Sequence, residues 1–384
     1  MAYDVVLFGA TGFTGRLTAE YLARHAPEGC RWALAGRSRV KLEQVRDSLG
    51  PRFAQLPLCY ADVTDAASLK AVAASAKVVI TTVGPYVRYG EPLVAACAEA
   101  GTDYVDLCGE PEFTDLTYVR HHARAAETGA RIVHACGFDS IPHDLGVYYT
   151  VSQLPDDVPI RVRGQVRVGA TFSGGTYASA LGAASRLRPT LRAARERRKV
   201  QHRPEGRRVR AVTGTPRRDG ETGHWLVPLP TIDPQIVVAS ARELPEYGPD
   251  FSYSHYAAVK HLPVLAGGLA GVGAAIALAQ LPPVRKALGG LRKPGAGPSE
   301  QRRAKSWFTV RFTADGGGRR VVTEVSGGDP GYDETAKMLA ESALCLAHDD
   351  LPVRAGQLSP AAAMGGALLT RLKNAGLSFR TLPA

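Results

Sequence analysis

Near its amino end the chain reads VVLFGATGFTGRLTAEYLA: an apolar run, glycines at 9, 12 and 15, then helical spacing. No other stretch constrains the fold as much. A buried strand that turns on glycines into an amphipathic helix aims free backbone N–H groups and a helix dipole at one spot, which suits a phosphate pair. Glycine is required where φ is positive, where backbone must touch a pyrophosphate, and where the helix packs on the strand. The spacing here is G-x-x-G-x-x-G, one residue longer in its first turn than the usual dinucleotide fingerprint. Gly9, Thr11, Gly12, Phe13, Thr14 and Gly15 are therefore the candidate cradle.

The residues beyond the turn support that reading. YDVVLFG, RWALAGR, QLPLCYAD, KVVITTVG, DYVDLCG and ARIVHACG read as short buried strands, with helical patterns between them. Strands alternating with helices predict a Rossmann-type, doubly wound parallel sheet over residues 1–147. After GFDSIPHDLGVYYT the rhythm changes. IRVRGQVRV, WFTVRFTADGGGRRVVTEVSG and QIVVASARE read as strands with one solvated face, so an α+β domain with an antiparallel or mixed sheet is expected over 148–334. It would serve substrate binding or dimerisation. Residues 335–384 are expected to be C-terminal helices with a place against the first domain.

The second strand ends LAGRS, without the Asp or Glu that binds a ribose 2′-hydroxyl in NAD enzymes. Gly36 closes the strand, Arg37 can fork a 2′-phosphate, and Ser38 can add a hydroxyl. The expected cofactor is NADPH. Ligands in such sheets lie at the carboxyl ends of the strands. That places Asp62 and Val63 beside the adenine, with a helix-start role for Asp62 as the alternative, and Gly84 and Pro85 near the ribose and nicotinamide.

The formal charge of +11 is concentrated: Arg186 to Arg210 holds ten arginines and Lys199 against Glu196 and Glu205. Lacking interleaved aromatics, the segment does not read as a nucleic-acid site. A solvated helix and a dock for an acidic partner both stay open, the latter testable by neutralising Arg195, Arg197 and Arg198. From Leu262 to Val284 there is no charged residue. Its glycines and prolines, inside a soluble domain, favour contact with a membrane surface or an acyl chain over a true span, with ordinary core packing as the alternative. The six cysteines form no C-x-x-C pair, which predicts free thiols and no metal site. MAYDVVLFGATG has no basic n-region or cleavage site, so a cytoplasmic protein is expected.

GATGFTGR, LAGRS, VGPYVRYGEPLVAACAEAGTDYVDLCGE, CGFDSIPHDLG and GDPGYDETAKMLAESALCLA together resemble the saccharopine dehydrogenase-like oxidoreductases, and within them the trans-acting enoyl reductase branch. The resemblance covers nearly the whole chain. It implies a saccharopine-reductase-like second domain and NADPH-dependent reduction of an enoyl intermediate in the synthesis of polyketide-derived (glyco)lipids. The lipid-like substrate would be presented by an acyl carrier domain of a polyketide synthase, at the inner face of the plasma membrane. A homodimer stays open. Imine or keto reduction, and a non-catalytic dinucleotide-binding role at lipid surfaces, are the rival readings.

Enoyl reduction needs a hydride at the β-carbon, stabilisation of the enolate oxygen and a proton for the α-carbon. The candidates at the carboxyl edge are Tyr86 and Tyr89 after the fourth strand, Asp139, Ser140 and His143 after the sixth, and Tyr332 in GGDPGYDE. Each also has a structural alternative as a packed phenol or a helix cap.

Overall fold

The computed structural model describes residues 1–170, 186–260 and 297–383. The apolar run 262–284 lies outside the described residues; among those described, no helix is long and apolar enough to cross a membrane.

The first part of the chain alternates strand and helix. β1 (Tyr3–Phe8), α1 (Phe13–His25), β2 (Trp32–Gly36), α2 (Arg39–Ser48), β3 (Leu58–Tyr60) and α3 (Ala66–Ser75) come first. β4 (Ala76–Thr81), α4 (Glu91–Ala100), β5 (Asp103–Asp106), α5 (Pro111–Thr128) and β6 (Arg131–Val133) complete the alternation. The strands are parallel, in the order β6-β5-β4-β1-β2-β3. Both faces are covered, and the side-chain alternation shows how. Val5 and Leu7 point into one core with Ala19 and Leu22 of α1; Val6 and Phe8 point into the other with Leu69, Val72 and Leu93.

The second part begins with α6 (Ile141–Val151) and β7 (Ile160–Gly169), then α7 (Leu187–Val200), β8 (Arg208–Ala211), β9 (Arg217–Arg218) and β10 (Trp225–Pro228). It continues with α8 (Asp233–Glu243), β11 (Asp250–Val259), β12 (Trp307–Gly316) and β13 (Arg319–Gly327). The sheet is mixed: β11 runs parallel to β7, while β12 is antiparallel to both β7 and β13. The β12–β13 hairpin turns on Gly317 (φ 58°) and Gly318 (φ 74°), a two-residue turn that needs both left-handed angles. Phe251, Tyr253, Phe308 and Phe312 are fully buried in this half. Each such ring contributes about 1.5–3 kcal/mol of transfer free energy.

QIVVASARE, expected as a strand, is helical and lies in α8. Pro234 occupies its first turn, and Ile236, Val237, Ser240 and Ala241 are buried at helical spacing, so tertiary packing overrides the β-branched run. The carboxyl end divides between the two sheets. α9 (Asp333–His348) packs on β1, β4 and β5, and β14 (Gly356–Leu358) extends the first sheet beside β6. α10 (Pro360–Asn374) lies against α6 and α8, and β15 (Ser378–Leu382) pairs with β13 of the second sheet.

Candidate functional site

The three glycines of the first turn have three different jobs. Gly9 has φ 91°, and a Cβ there would stand 2.7 Å from Thr82 Oγ1. Gly15 is packed so closely that a Cβ would meet the Gly9 carbonyl oxygen at 2.2 Å. Gly12 is exposed, with an ordinary extended backbone (φ −74°, ψ 166°), and a Cβ there would find only Gly9 O at 3.4 Å. Among the described residues nothing demands glycine at 12, and a bare backbone there leaves room for a ligand to approach. α1 starts at Phe13 without a side-chain cap and without an acid in its first turn, as an anion site at a helix N-terminus requires.

The loops after β2, β3 and β4 complete this edge. Gly36 is buried beside Leu42, whereas Arg37 is exposed at the strand end. Ser38 caps α2, its Oγ accepting from Lys41 N at 3.4 Å. Asp62 Oδ1 accepts from Thr64 N (2.9 Å) and Thr64 Oγ1 (2.8 Å). Those bonds, with a lesser contribution from the Arg37 charge, hold its carboxyl below the usual range. Val63 follows it, half-buried. Gly84 and Pro85 are exposed after β4, and the helical turn Tyr86–Tyr89 behind them is tied by Glu110, whose carboxylate accepts from Tyr86 N (3.0 Å) and Val87 N (2.9 Å).

The six proton-donor candidates do not form one constellation. Tyr86 is interior: its hydroxyl donates to Thr81 O (3.1 Å) and accepts from Leu107 N (3.2 Å). Burial also pushes the phenol well above its ordinary pKa, so Tyr86 shapes the loop and its proton is committed there. Tyr89 is half-buried under Arg88, 5.2 Å from ring to guanidinium. Tyr332 stands at the glycine turn, its ring 4.8 Å from that of Phe13. Asp139, Ser140 and His143 do come together, at the start of α6.

Asp106, which no sequence motif singles out, sets that region. Its buried carboxylate accepts from Cys108 N (2.9 Å), Ala135 N (3.0 Å) and Tyr104 Oη (2.8 Å), and His134 Nδ1 lies 2.7 Å away. One side chain thus fixes the loops after both β5 and β6. The result brings Asp139 to Gly109: a Cβ on Gly109 would be 3.3 Å from Asp139 Oδ2. Desolvation pushes the Asp139 carboxyl up, the Asp233 charge adds to it, and the group reaches about 7.

Behind Asp139 lies a buried charge cluster. His143 Nδ1 is 3.0 Å from Asp233 Oδ1, and His255 Nε2 is 3.5 Å from Asp233 Oδ2. Thr231 Oγ1 donates to Asp233, and the Tyr253 hydroxyl is 2.9 Å from His255 Nδ1. Burial works against charging His143, but the Asp233 carboxylate outweighs it and raises the imidazole. Burial also opposes ionising Asp233, yet the two imidazoles hold it low; its place in the first turn of α8 adds to this. His255 is driven down to about 4 by burial. Of the two imidazoles, His143 is therefore the one favoured to hold a proton against the Asp233 carboxylate. The ligand atoms of His143, Asp233 and His255 lie within 4.8 Å of one another, a spacing that a metal ion could also use. Ser140 is fully buried. All six cysteines are free thiols. His255 and Tyr253 had a signal in the sequence, since FSYSHYA puts Phe251, Tyr253 and His255 on one face of a strand. Asp233 had none beyond its place before a proline.

The strand–glycine–helix turn, the arginine at the end of β2 and the acid beside the β5 loop are those of an NADP-dependent oxidoreductase. Residues 5–133 match the family described as the saccharopine dehydrogenase NADP binding domain. In a solved structure, apo saccharopine dehydrogenase (L-Glu forming) from Saccharomyces cerevisiae shares the fold, with TM-score 0.57, 12% identity, and coverage of 99% of this chain and 100% of that one. A protein of Mycobacterium tuberculosis H37Rv, provisionally named a trans-acting enoyl reductase, is 41% identical over 99% of this chain and 97% of its own length. The trans-acting enoyl reductase of Mycobacterium bovis BCG is 39% identical over the same shares. The chain belongs to the trans-acting enoyl reductase family.

Proposed function

We propose that the protein reduces the carbon–carbon double bond of an enoyl thioester. NADPH, when bound along the carboxyl edge, supplies the hydride for the β-carbon. The residues present suit that cofactor: Gly12 leaves the helix N-terminus open, and Arg37 offers a fork at the ribose end. Asp139 holds the proton that the α-carbon takes. At about 7 it is substantially protonated near neutral pH and still acidic enough to give the proton up. The carboxylate left behind is offset by the nearby His143 imidazole, which itself is balanced by Asp233. The observation that supports the reading is Asp139 itself, an acid raised to the working range above the β5 loop; the enoyl group is taken from the relatives' names. Oxidation of NADPH in the presence of an enoyl thioester, a keto thioester and an imine tests it. Turnover with the enoyl compound is expected. Turnover only with the imine or keto compound, or with none, would overturn it.

We further propose a lipid-like substrate in polyketide-derived lipid synthesis, presented by an acidic acyl carrier domain that docks on α7. The outer face of this helix carries Arg188, Arg192 and Arg195 around exposed Leu187 and Leu191. Arg197, grouped with Arg195 and Arg198 on sequence grounds, is instead buried, 3.0 Å from Asp115 and stacked on Tyr118 at 4.4 Å. It anchors the helix to α5 and is unavailable to a partner. Replacing Arg188, Arg192 and Arg195 with Gln is expected to lower turnover of carrier-bound enoyl substrate and leave a short soluble thioester unaffected. Equal turnover of both would remove the dock. Contact with the inner face of the plasma membrane, and a homodimer, belong to the same proposal and are read by vesicle sedimentation and by mass in solution.

A further inference from the structure

The glycine turn is roofed by residues from the far end of the chain. Phe13, the first residue of α1, is enclosed on three sides. The Tyr332 ring meets it edge-on at 4.8 Å and 74°, and the Arg303 guanidinium lies 5.6 Å from its centroid. Gly297 approaches so closely that a Cβ there would stand 2.2 Å from Phe13 Cζ. A side chain at 297 would push the roof away from the turn.

Arg303 is held in place with care. Its Nε donates to both oxygens of Asp333 (2.9 and 3.0 Å) and its Nη1 to Pro298 O (3.0 Å). Asp333 N donates in turn to Asp329 Oδ2 at 3.3 Å. The Arg303 side chain is only 12% exposed. A largely desolvated cation thus sits beside the positive end of a thirteen-residue helix that has neither a side-chain cap nor an acid in its first turn. The Asp333 carboxylate already balances the Arg303 charge, so what bears on an anion at the turn is the fixed placement of the guanidinium beside it. The bonds to Asp333 fix the plane of the guanidinium without using its Nη2 edge.

We infer that Arg303 binds the dinucleotide pyrophosphate from above, facing the α1 N-terminus across it. The roof then comes from the residues that lead into β12, so the second half of the chain takes part in holding the cofactor. Arg37 and Arg303 divide the labour: Arg37 reads the 2′-phosphate that distinguishes NADPH, and Arg303 holds the pyrophosphate common to NADPH and NADH.

The test is the dissociation constants of NADPH, NADH and adenosine 2′-phosphate for the full chain, with melting temperature as a check on folding. Arg303→Gln is expected to weaken NADPH and NADH by the same factor, about 10–100-fold, as loss of a charge-assisted phosphate contact should. Adenosine 2′-phosphate, which lacks the pyrophosphate, should bind as before. Unchanged NADPH binding in the folded variant, or an equal loss for adenosine 2′-phosphate, overturns the assignment. Should the Gln variant not fold, Arg303→Lys keeps the charge and removes the fork. Equal weakening of NADPH and NADH by at least about 3-fold is then required, and no weakening overturns the assignment.

Discussion

At the proposed phosphate end, the groups that would hold a dinucleotide come largely from one short run, Gly9 to Gly15, with Arg37 one strand further on. At the proposed reacting end, Asp139 depends on Asp106 from β5, on Asp233 from α8 and, through Asp233, on His255 from β11. The first end is made mostly of backbone under a roof of a few side chains; the second is made of side chains that adjust one another's charge. A backbone site can be written in a few residues because glycine acts through what it lacks. A tuned carboxyl cannot, because its acidity is set by neighbours that only the fold supplies.

The first pair of variants should separate folding from binding within the turn itself. Gly12→Ala is expected to leave the melting temperature unchanged and to weaken NADPH by about two orders of magnitude, roughly 3 kcal/mol, because the new methyl stands where the pyrophosphate must approach. Gly15→Ala should lower both, since its Cβ would meet the Gly9 carbonyl 2.2 Å away and push α1 off β1. If both variants melt alike and bind alike, the division of labour among the glycines is wrong.

Asp139→Asn comes next and acts at the other end. Turnover should fall by about 10²–10⁴ while the NADPH dissociation constant stays put. The pH profile supplies the sign. Asp139 gives its proton only when protonated, so kcat should hold below about 7 and decline as pH rises through that value. The Asn variant should lose that limb. A high-pH limb that survives the substitution would assign the proton to another group.

Asp233→Asn tests the support behind it. Removing one partner of a buried ion pair costs about 3–5 kcal/mol, so a marked fall in melting temperature is expected. The pH dependence has two edges. Asp233 is held low, so its contribution is present above the unfolded carboxylate value and is lost as pH falls through the folded one. His143 is raised, so its contribution is present below the unfolded imidazole value and is lost as pH rises through the folded one. Stability against pH should be flatter at both edges in the variant. An unchanged curve would mean that the pair is not charged.

Legibility in the sequence divides along the same line. Phase and glycine spacing are enough to read the parallel sheet and its order of elements, because each is decided by residues close together in the chain. QIVVASARE misleads because β-branched residues suit a strand, while the buried spacing of Ile236, Val237, Ser240 and Ala241 belongs to a helix. β14 is three residues long and is a strand only because β6 has an edge to fill. Tyr86 looks like a donor by residue type and becomes a loop brace once Thr81 O and Leu107 N are in place. Asp233 could be found only after the fold had carried it to His143.

Arg37→Ala should give the smallest effect and the sharpest one. The side chain is exposed, so its pairing with a 2′-phosphate is partly screened and salt-sensitive. About a 10-fold weakening of NADPH is expected, near 1.4 kcal/mol, with NADH changed by less than about 2-fold. Asp62 stands within electrostatic reach of Arg37 and carries a negative charge, so Asp62→Asn should move NADPH the opposite way, toward tighter binding. Both shifts should shrink as salt is raised. Equal losses of NADPH and NADH would place Arg37 on the pyrophosphate, the role given to Arg303. The two arginines are distinguishable only if one of them separates the dinucleotides and the other does not.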